Sequence, residues 1–425
     1  MLREITEMES TWVSDSSPEY LQFSIKVKPN QMDKVIENLI QLLFGLRLKF
    51  KDNHYYSTPP LAIAQLPNYI IDCHEAVLWI NDNYTKKPSE ILTSMAKNDC
   101  VVAISANHAC CSGGYAAKCI KLCTSEPKIL FPDGNPTKVA TPLIDTYKDL
   151  IIEAKKLNPF FFFSKDVTNM KIDVDSPYLT KETHTPITHW IKTPVDELIC
   201  YNKEKKRPSK LSENIWSCWP LVVAAYGSIQ KNQDINTINQ LSVSSIVDLN
   251  RMRFTEKIKD KIDWSCINQV TNVNIFCDIN DSTTLKELGD GMRACHEKLE
   301  TEGGMLAYAE GEFSMPDDPN LIGASVSNMG AVVVPEGVVD CFIQSYTSKP
   351  ELFGGISLVD FSVVTKYRND FISAIRYQPS KYTSKTVRIA HEAFIYAMKK
   401  FELNLKVKEA LLKMVDFIKM KIEDY

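Results

Sequence analysis

From Cys100 to Ala106 the chain runs through small and apolar residues without a break, and no other stretch limits the fold as sharply. Such a run reads as a β-strand buried on both faces. It leads into the segment Asn107-His108-Ala109-Cys110-Cys111-Ser112-Gly113-Gly114, and then into a helical stretch from Tyr115 to Cys123. His108 therefore stands just past the end of a buried strand and just before a small-residue turn.

The rest of the chain alternates strand and helix patterns. Leu21, Phe23, Ile25 and Val27 alternate with Gln22, Ser24 and Lys26, the period of a half-buried strand over Tyr20 to Val27. Pro29 and Asn30 open a helix with Met32, Val35, Ile36, Leu39, Ile40 and Leu43 on one face. Strand-like pieces follow at Leu46 to Phe50 and Tyr69 to Asp72, and Pro88 starts a short helix running to about Lys97. Leu143 to Leu157 reads as a helix, and Thr185 to Lys210 as a crossover between two domains. The second half opens with a helix from Lys210 to Tyr226, capped by Ser209 or Ser212. Strand patterns follow at Leu241 to Leu249, Leu321 to Ser327, Ala331 to Val334, Val338 to Ser345, Gly355 to Val364 and Asp370 to Tyr377. Helices follow at Leu285 to Leu299, Thr386 to Phe401 and Val407 to Ile422. The mix is α/β in each half, and we divide it into residues 1–190 and 191–425.

The 425 residues fit two such domains. The 49 basic and 53 acidic side chains sum to −4, so nucleic acid is not expected as a partner. No apolar run approaches the roughly 18 residues of a spanning helix, and the amino terminus lacks the apolar core of a secretory signal. Twelve cysteines are scattered singly apart from the Cys110-Cys111 pair, which fits reduced thiols and a cytoplasmic protein. A monomer is expected. The lysines of the last helix, against Glu409, Asp416, Glu423 and Asp424, leave two readings open: a solvated face or a peripheral membrane contact.

A neutral imidazole at His108 can take a proton near physiological pH. Gly113 and Gly114 let the backbone turn and approach a ligand closely. Two rival chemistries share the loop: a Cys110 or Cys111 nucleophile with His108 as base, and a zinc site joining His108 to Cys119 and Cys123. The thiols read better as packing, and the paired C-x₂-C spacing of zinc sites is missing.

The order of these features resembles the condensation-domain and acyl-CoA-dependent acyltransferase superfamily. That group includes alcohol acetyltransferases, plant acyltransferases, polyketide-associated acyltransferases and chloramphenicol acetyltransferase. Its His-His-x-x-x-Asp-Gly signature falls where this chain has Asn107-His108-Ala109-Cys110-Cys111-Ser112-Gly113. Val247-Asp248-Leu249-Asn250-Arg251 is similar to the family's Val-Asp-Leu-Arg segment, and Ser327-Asn328-Met329-Gly330 to its Ser-Asn-x-Gly turn. The resemblance spans about Tyr20 to Lys400. It implies two chloramphenicol-acetyltransferase-like subdomains, mixed sheets flanked by helices, and an active-site channel between them.

It also implies direct acyl transfer from acyl-CoA, acetyl-CoA in the first instance, to an alcohol hydroxyl. His108 is then the general base, and Asn328 with the backbone near Gly113 and Gly114 supplies oxyanion donors. No bound cofactor, metal or covalent intermediate is required. The motif Asp is Ser112 here, and the Arg of the second segment, a plausible partner for that Asp, is Asn250. If the two positions face each other, a Ser112–Asn250 hydrogen bond replaces an ion pair and leaves no lone buried charge. Two alternatives stay open. One is N-acyl transfer to an amine, or condensation with a carrier-bound thioester. The other is a non-catalytic member that binds a ligand or partner. Arg251 and Arg253 read as CoA-phosphate contacts or as solvated groups, and Phe160 to Phe163 as a core edge or an acyl-pocket wall. Asp360-Phe361 and the remaining histidines carry no motif.

Overall fold

A computed structural model describes residues 2–5, 7–10, 12–16, 18–125, 152, 171–176, 187–249, 270–302, 304–305, 324–347, 356–365 and 369–424. In chain order its main elements are β1 (Glu19–Val27), α1 (Met32–Leu42), α2 (Cys73–Asn83), β2 (Thr93–Lys97), β3 (Val101–Asn107) and α3 (Gly113–Leu122). They continue with β4 (Ile187–Pro194), α4 (Leu211–Lys231), β5 (Gln240–Asp248), β6 (Val270–Asp278) and α5 (Leu285–Thr301). The chain closes with β7 (Ser325–Val333), β8 (Val338–Thr347), β9 (Ser357–Val364), β10 (Asn369–Tyr377), α6 (Ser384–Lys400) and α7 (Val407–Asp424).

Two mixed sheets result. The first runs β8-β1-β3-β2 and ends on the short strand Ala64–Gln65; the second runs β6-β5-β7-β9-β10-β4. β3 is buried throughout, as its composition demands. Val102, Ile104 and Ala106 face the core shared with Val35 and Leu39 of α1 and Ala116 and Ile120 of α3. Val101 and Ala103 face Ala76 and Ile80 of α2. In the second sheet, Leu358, Phe371 and Ile375 pack under α4 and α6, while Val359, Phe361 and Ile372 join the core of the first lobe.

The lobes exchange strands. β4 precedes α4 in the chain yet forms an edge of the second sheet against β10, and the expected division near residue 190 falls inside it. β8 follows the second-sheet strand β7 but pairs with β1 in the first sheet. No described helix is long and apolar enough to cross a membrane. On α7, Lys413 pairs with Glu409 at 2.7 Å and Lys421 with Glu392 at 2.8 Å.

Some expectations need correction. Pro88 to Lys97 is not a helix: Thr93–Lys97 is β2, paired with β3 and with Ala64–Gln65, and this tertiary pairing outweighs local preference. Tyr69 to Asp72 is not a strand. Asp72 caps α2, its side chain accepting from His74 N and Glu75 N. Neither Ser209 nor Ser212 caps α4; Lys210 holds that position in a left-handed conformation. The two strands expected around Asn328 are one, β7, with a bulge between Asn328 and Ala331. Leu143 to Leu157 (save residue 152), Phe160 to Phe163 and residues 250–269 lie outside the described residues.

Candidate active site

The end of β3 delivers His108 into a single 3₁₀ turn, His108–Cys110. The residue as a whole is only partly exposed. Nδ1 lies 2.9 Å from the Cys111 carbonyl oxygen. A carbonyl only accepts, so Nδ1 carries the hydrogen and the neutral ring keeps its lone pair on Nε2. Burial holds the imidazole below its ordinary pKa, against the opposing pull of the Cys111 carbonyl and the residue's own backbone. The ring is therefore neutral near pH 7, the form a general base needs.

Asn107, at the place of the motif's first His, is buried with its amide fully used. Oδ1 accepts from Ala109 N at 3.0 Å, and Nδ2 donates to the Trp12 carbonyl at 2.7 Å and the Glu19 carbonyl at 3.1 Å. The Trp12 ring lies against His108, centroids 4.8 Å apart and tilted by 43°. Sequence reasoning missed both roles. An Asn closing a strand is a legible capping signal, but nothing local announces a partner 95 positions away.

Ser112 is the N-cap of α3, its Oγ accepting from Tyr115 N at 3.1 Å. Asn250, its proposed partner, lies outside the described residues. Gly113 and Gly114 lie in the first turn of α3, where backbone N–H groups have no acceptor within the helix. Gly113 needs no left-handed backbone. It is small because the second lobe leans on it: a Cβ there would sit 2.8 Å from Met329 Sδ. Met329 follows Asn328 on the β7 bulge, so the two sequence-predicted segments meet at this contact. Asn328 Oδ1 accepts from Gly330 N at 2.8 Å, and its Nδ2 donates to Ser212 Oγ at 3.1 Å. Gly330 has φ +74°, which the bulge requires.

The rival thiols are engaged. Cys110 Sγ donates to the Asn107 carbonyl at 3.2 Å. Burial pushes the Cys111 and Cys119 thiols far up and the Cys123 thiol to about 12, which opposes thiolate formation. Among the described residues no group of three His, Cys, Asp or Glu could hold a metal ion. Arg251, Arg253 and His184 lie outside the described residues. His189 and His391 are not isolated: their Nδ1 atoms are 2.9 Å apart, and His391 Nε2 lies 2.7 Å from Ser373 Oγ.

No protein-family model and no curated protein matches the chain. Solved structures do. The first condensation domain of the calcium-dependent antibiotic synthetase, in complex with a substrate analogue, is 11% identical with a TM-score of 0.60, covering 95% of this chain and 96% of its own. The fold is that of the condensation domains. A mutant starter condensation domain of rhizomide synthetase in complex with C8-CoA is 12% identical, TM-score 0.58, covering 92% and 91%. Polyketide synthase associated protein 5 from Mycobacterium tuberculosis is 11% identical, TM-score 0.57, covering 94% and 98%.

Proposed function

We propose that the chain transfers an acyl group from a thioester to a nucleophilic hydroxyl or amine, with His108 as general base. The observation that carries this is the His108 ring at the end of a buried strand, its Nδ1–H held on the Cys111 carbonyl, so that the basic nitrogen of the neutral ring is Nε2. Nε2 takes the acceptor's proton as the acceptor attacks the thioester carbonyl carbon. The C–S bond breaks, the proton passes to the departing sulfur, and the imidazole returns to neutral. The Gly113 and Gly114 N–H groups in the first turn of α3, at the positive end of a helix, suit the oxyanion, whereas the Asn328 amide expected to join them is already held by Gly330 and Ser212. Each such donor is worth about 10²-fold or more in rate.

Acyl-CoA is the donor we favour. A condensation domain of this fold in complex with C8-CoA supports it, and supports chains longer than the acetyl group expected first. An alcohol acceptor rests on the sequence resemblance. The fold shared with condensation domains favours the second reading, an amine acceptor. The test incubates purified protein with acetyl-, octanoyl- and palmitoyl-CoA, each with primary alcohols and amines. Free CoA thiol and the acylated product are measured. Release faster than that of His108→Ala, with an ester or amide formed, supports the reading and identifies the acceptor. Equal rates for the two proteins with every pair refute it, and leave the non-catalytic binding alternative.

A further inference from the structure

The described residues between Leu2 and Asp15 form a strap beside the His108 loop. Arg3–Glu4 pairs antiparallel with His54–Tyr55, a four-residue helix follows at Glu7–Ser10, and Val13 is buried in the first lobe's core. Asp15 accepts from the backbone N–H and the hydroxyl of Ser89. Between these anchors Trp12 reaches the imidazole. Its carbonyl is tied to Asn107, and Asn107 is tied in turn to Ala109 N, directly after His108. Strap, strand end and histidine are thus one hydrogen-bonded unit.

We propose that Trp12 is a positioning residue for His108, and that Asn107 is the clamp joining them. This rests on the reading of His108 as the base. The Trp12 indole N–H is buried and has no hydrogen-bond partner among the described residues. The ring is therefore placed for its face and edges, and a phenyl ring can serve in its stead. Its centroid lies within the roughly 6 Å at which an aromatic ring attracts a cation. It thus supports the imidazolium that forms when Nε2 takes a proton. It also limits rotation of the ring, which keeps Nδ1 on the Cys111 carbonyl. The departure of Asn107 from the motif's His follows: holding Ala109 N and two carbonyls takes one acceptor and two donor hydrogens, which an amide has and a neutral imidazole, with one N–H, lacks.

The test compares Trp12→Phe and Trp12→Leu with the parent, using octanoyl-CoA and whichever acceptor gives turnover. Misplacing a catalytic group by about 1 Å can cost about 10²-fold, so Trp12→Leu should lower kcat at least about tenfold with KM within about twofold. Trp12→Phe should stay within about threefold of the parent because it keeps a π face. Equal values for Phe and Leu, an unchanged kcat, or a loss confined to KM overturns the proposal. A second measurement needs no turnover. With ¹⁵N-histidine labelling, and the His108 signals assigned by their loss in His108→Ala, the parent should show Nδ1 protonated and Nε2 bare at neutral pH. Trp12→Leu should move both nitrogens toward the tautomer average, and an unmoved pair overturns the proposal. If the parent transfers no acyl group, the functional reading fails, and the imidazole spectrum alone decides the role of the strap.

Discussion

Asp360 offers a test of the second lobe that depends on no assumption about substrate. It lies on β9 in register between Asn328 of β7 and Ser373 of β10. Its side chain is 0% exposed, and neither carboxyl oxygen has a hydrogen-bond partner among the described residues. The Asn328 amide is used by Gly330 and Ser212, and the Ser373 hydroxyl lies against His391. Burial alone pushes the Asp360 carboxyl well above the ordinary range, so the folded protein holds it protonated. An unfolded chain releases that proton near pH 4. Above that pH the folded state binds more protons than the unfolded one. Stability is then complete below the unfolded value and falls by about 1.4 kcal/mol per pH unit until the folded carboxyl ionises. Asp360→Asn keeps the shape and removes the proton. Near pH 4 the two proteins should be close, and the variant should gain on the parent by about 1.4 kcal/mol for each further unit. Urea unfolding between about pH 4 and pH 7, read as the midpoint shift at constant m, measures this slope. A difference that stays flat with pH, or that shrinks as pH rises, refutes the claim of a neutral buried acid.

Other outcomes follow from single groups. His108→Ala and His108→Gln should each lower kcat by about 10² to 10⁴-fold, the range for a positioned base, in the CoA-release assay. His391 is 0% exposed, and its imidazole is held well below the ordinary value, first by burial and then by His189. The stability it contributes is complete above the unfolded value of about 6.5 and is lost as pH falls through the folded value, so His391→Gln should flatten the acid-side decline in urea melts. Gly45→Ala places a methyl 2.3 Å from Thr93 Oγ1 and 2.7 Å from Cys110 Sγ. It should destabilise the first lobe by about 1–3 kcal/mol, the usual cost of overpacking, seen as a lower urea midpoint.

The parts of the fold that were legible are those with an internal period. β3 announces itself by its unbroken small and apolar run and α3 by the Gly113-Gly114 turn that opens it, and α6 and α7 by their 3.6-residue apolar stripes, whereas Ser112, read as a loop residue facing Asn250, is the cap of α3. α2 carried the same signal, Asp72 followed by Cys73, Ala76, Val77 and Ile80 on one face, but a low-contrast stripe beside polar residues hid it. β2 could not be read locally. Thr93-Ser94-Met95-Ala96-Lys97 has no alternation because both its faces are buried, and only its two strand neighbours define it. The β7 bulge was visible only as Ser-Asn-x-Gly, since the cause lies in Gly330 and in the contact of Met329 with Gly113. At the candidate site, His108 was legible from its setting, whereas Asn107 and Trp12 act through contacts distant in sequence.

The strand exchange determines how the two halves of the site stay in register. Asn328 sits five residues before the end of β7 in the second sheet, and the four residues 334–337 then carry the chain into β8 of the first sheet. Gly337, at φ +93°, makes that link short by taking a backbone shape other residues avoid. Two contacts reinforce the same edge. Lys192 of β4 lies 3.1 Å from Asp340 of β8 and 3.4 Å from Asp370 of β10, joining the sheets through one ammonium. Arg376 of β10 donates to the Ser345 carbonyl of β8 at 2.6 Å and lies over the Tyr346 ring at 5.0 Å. These groups are half-buried or buried, so screening by salt weakens them less than it would a surface pair. These contacts hold β8 against the second sheet beside the link from β7. The contact between Gly113 and Met329 is carried by β7, the strand that feeds this link, so the same edge fixes the His108 loop against the second sheet.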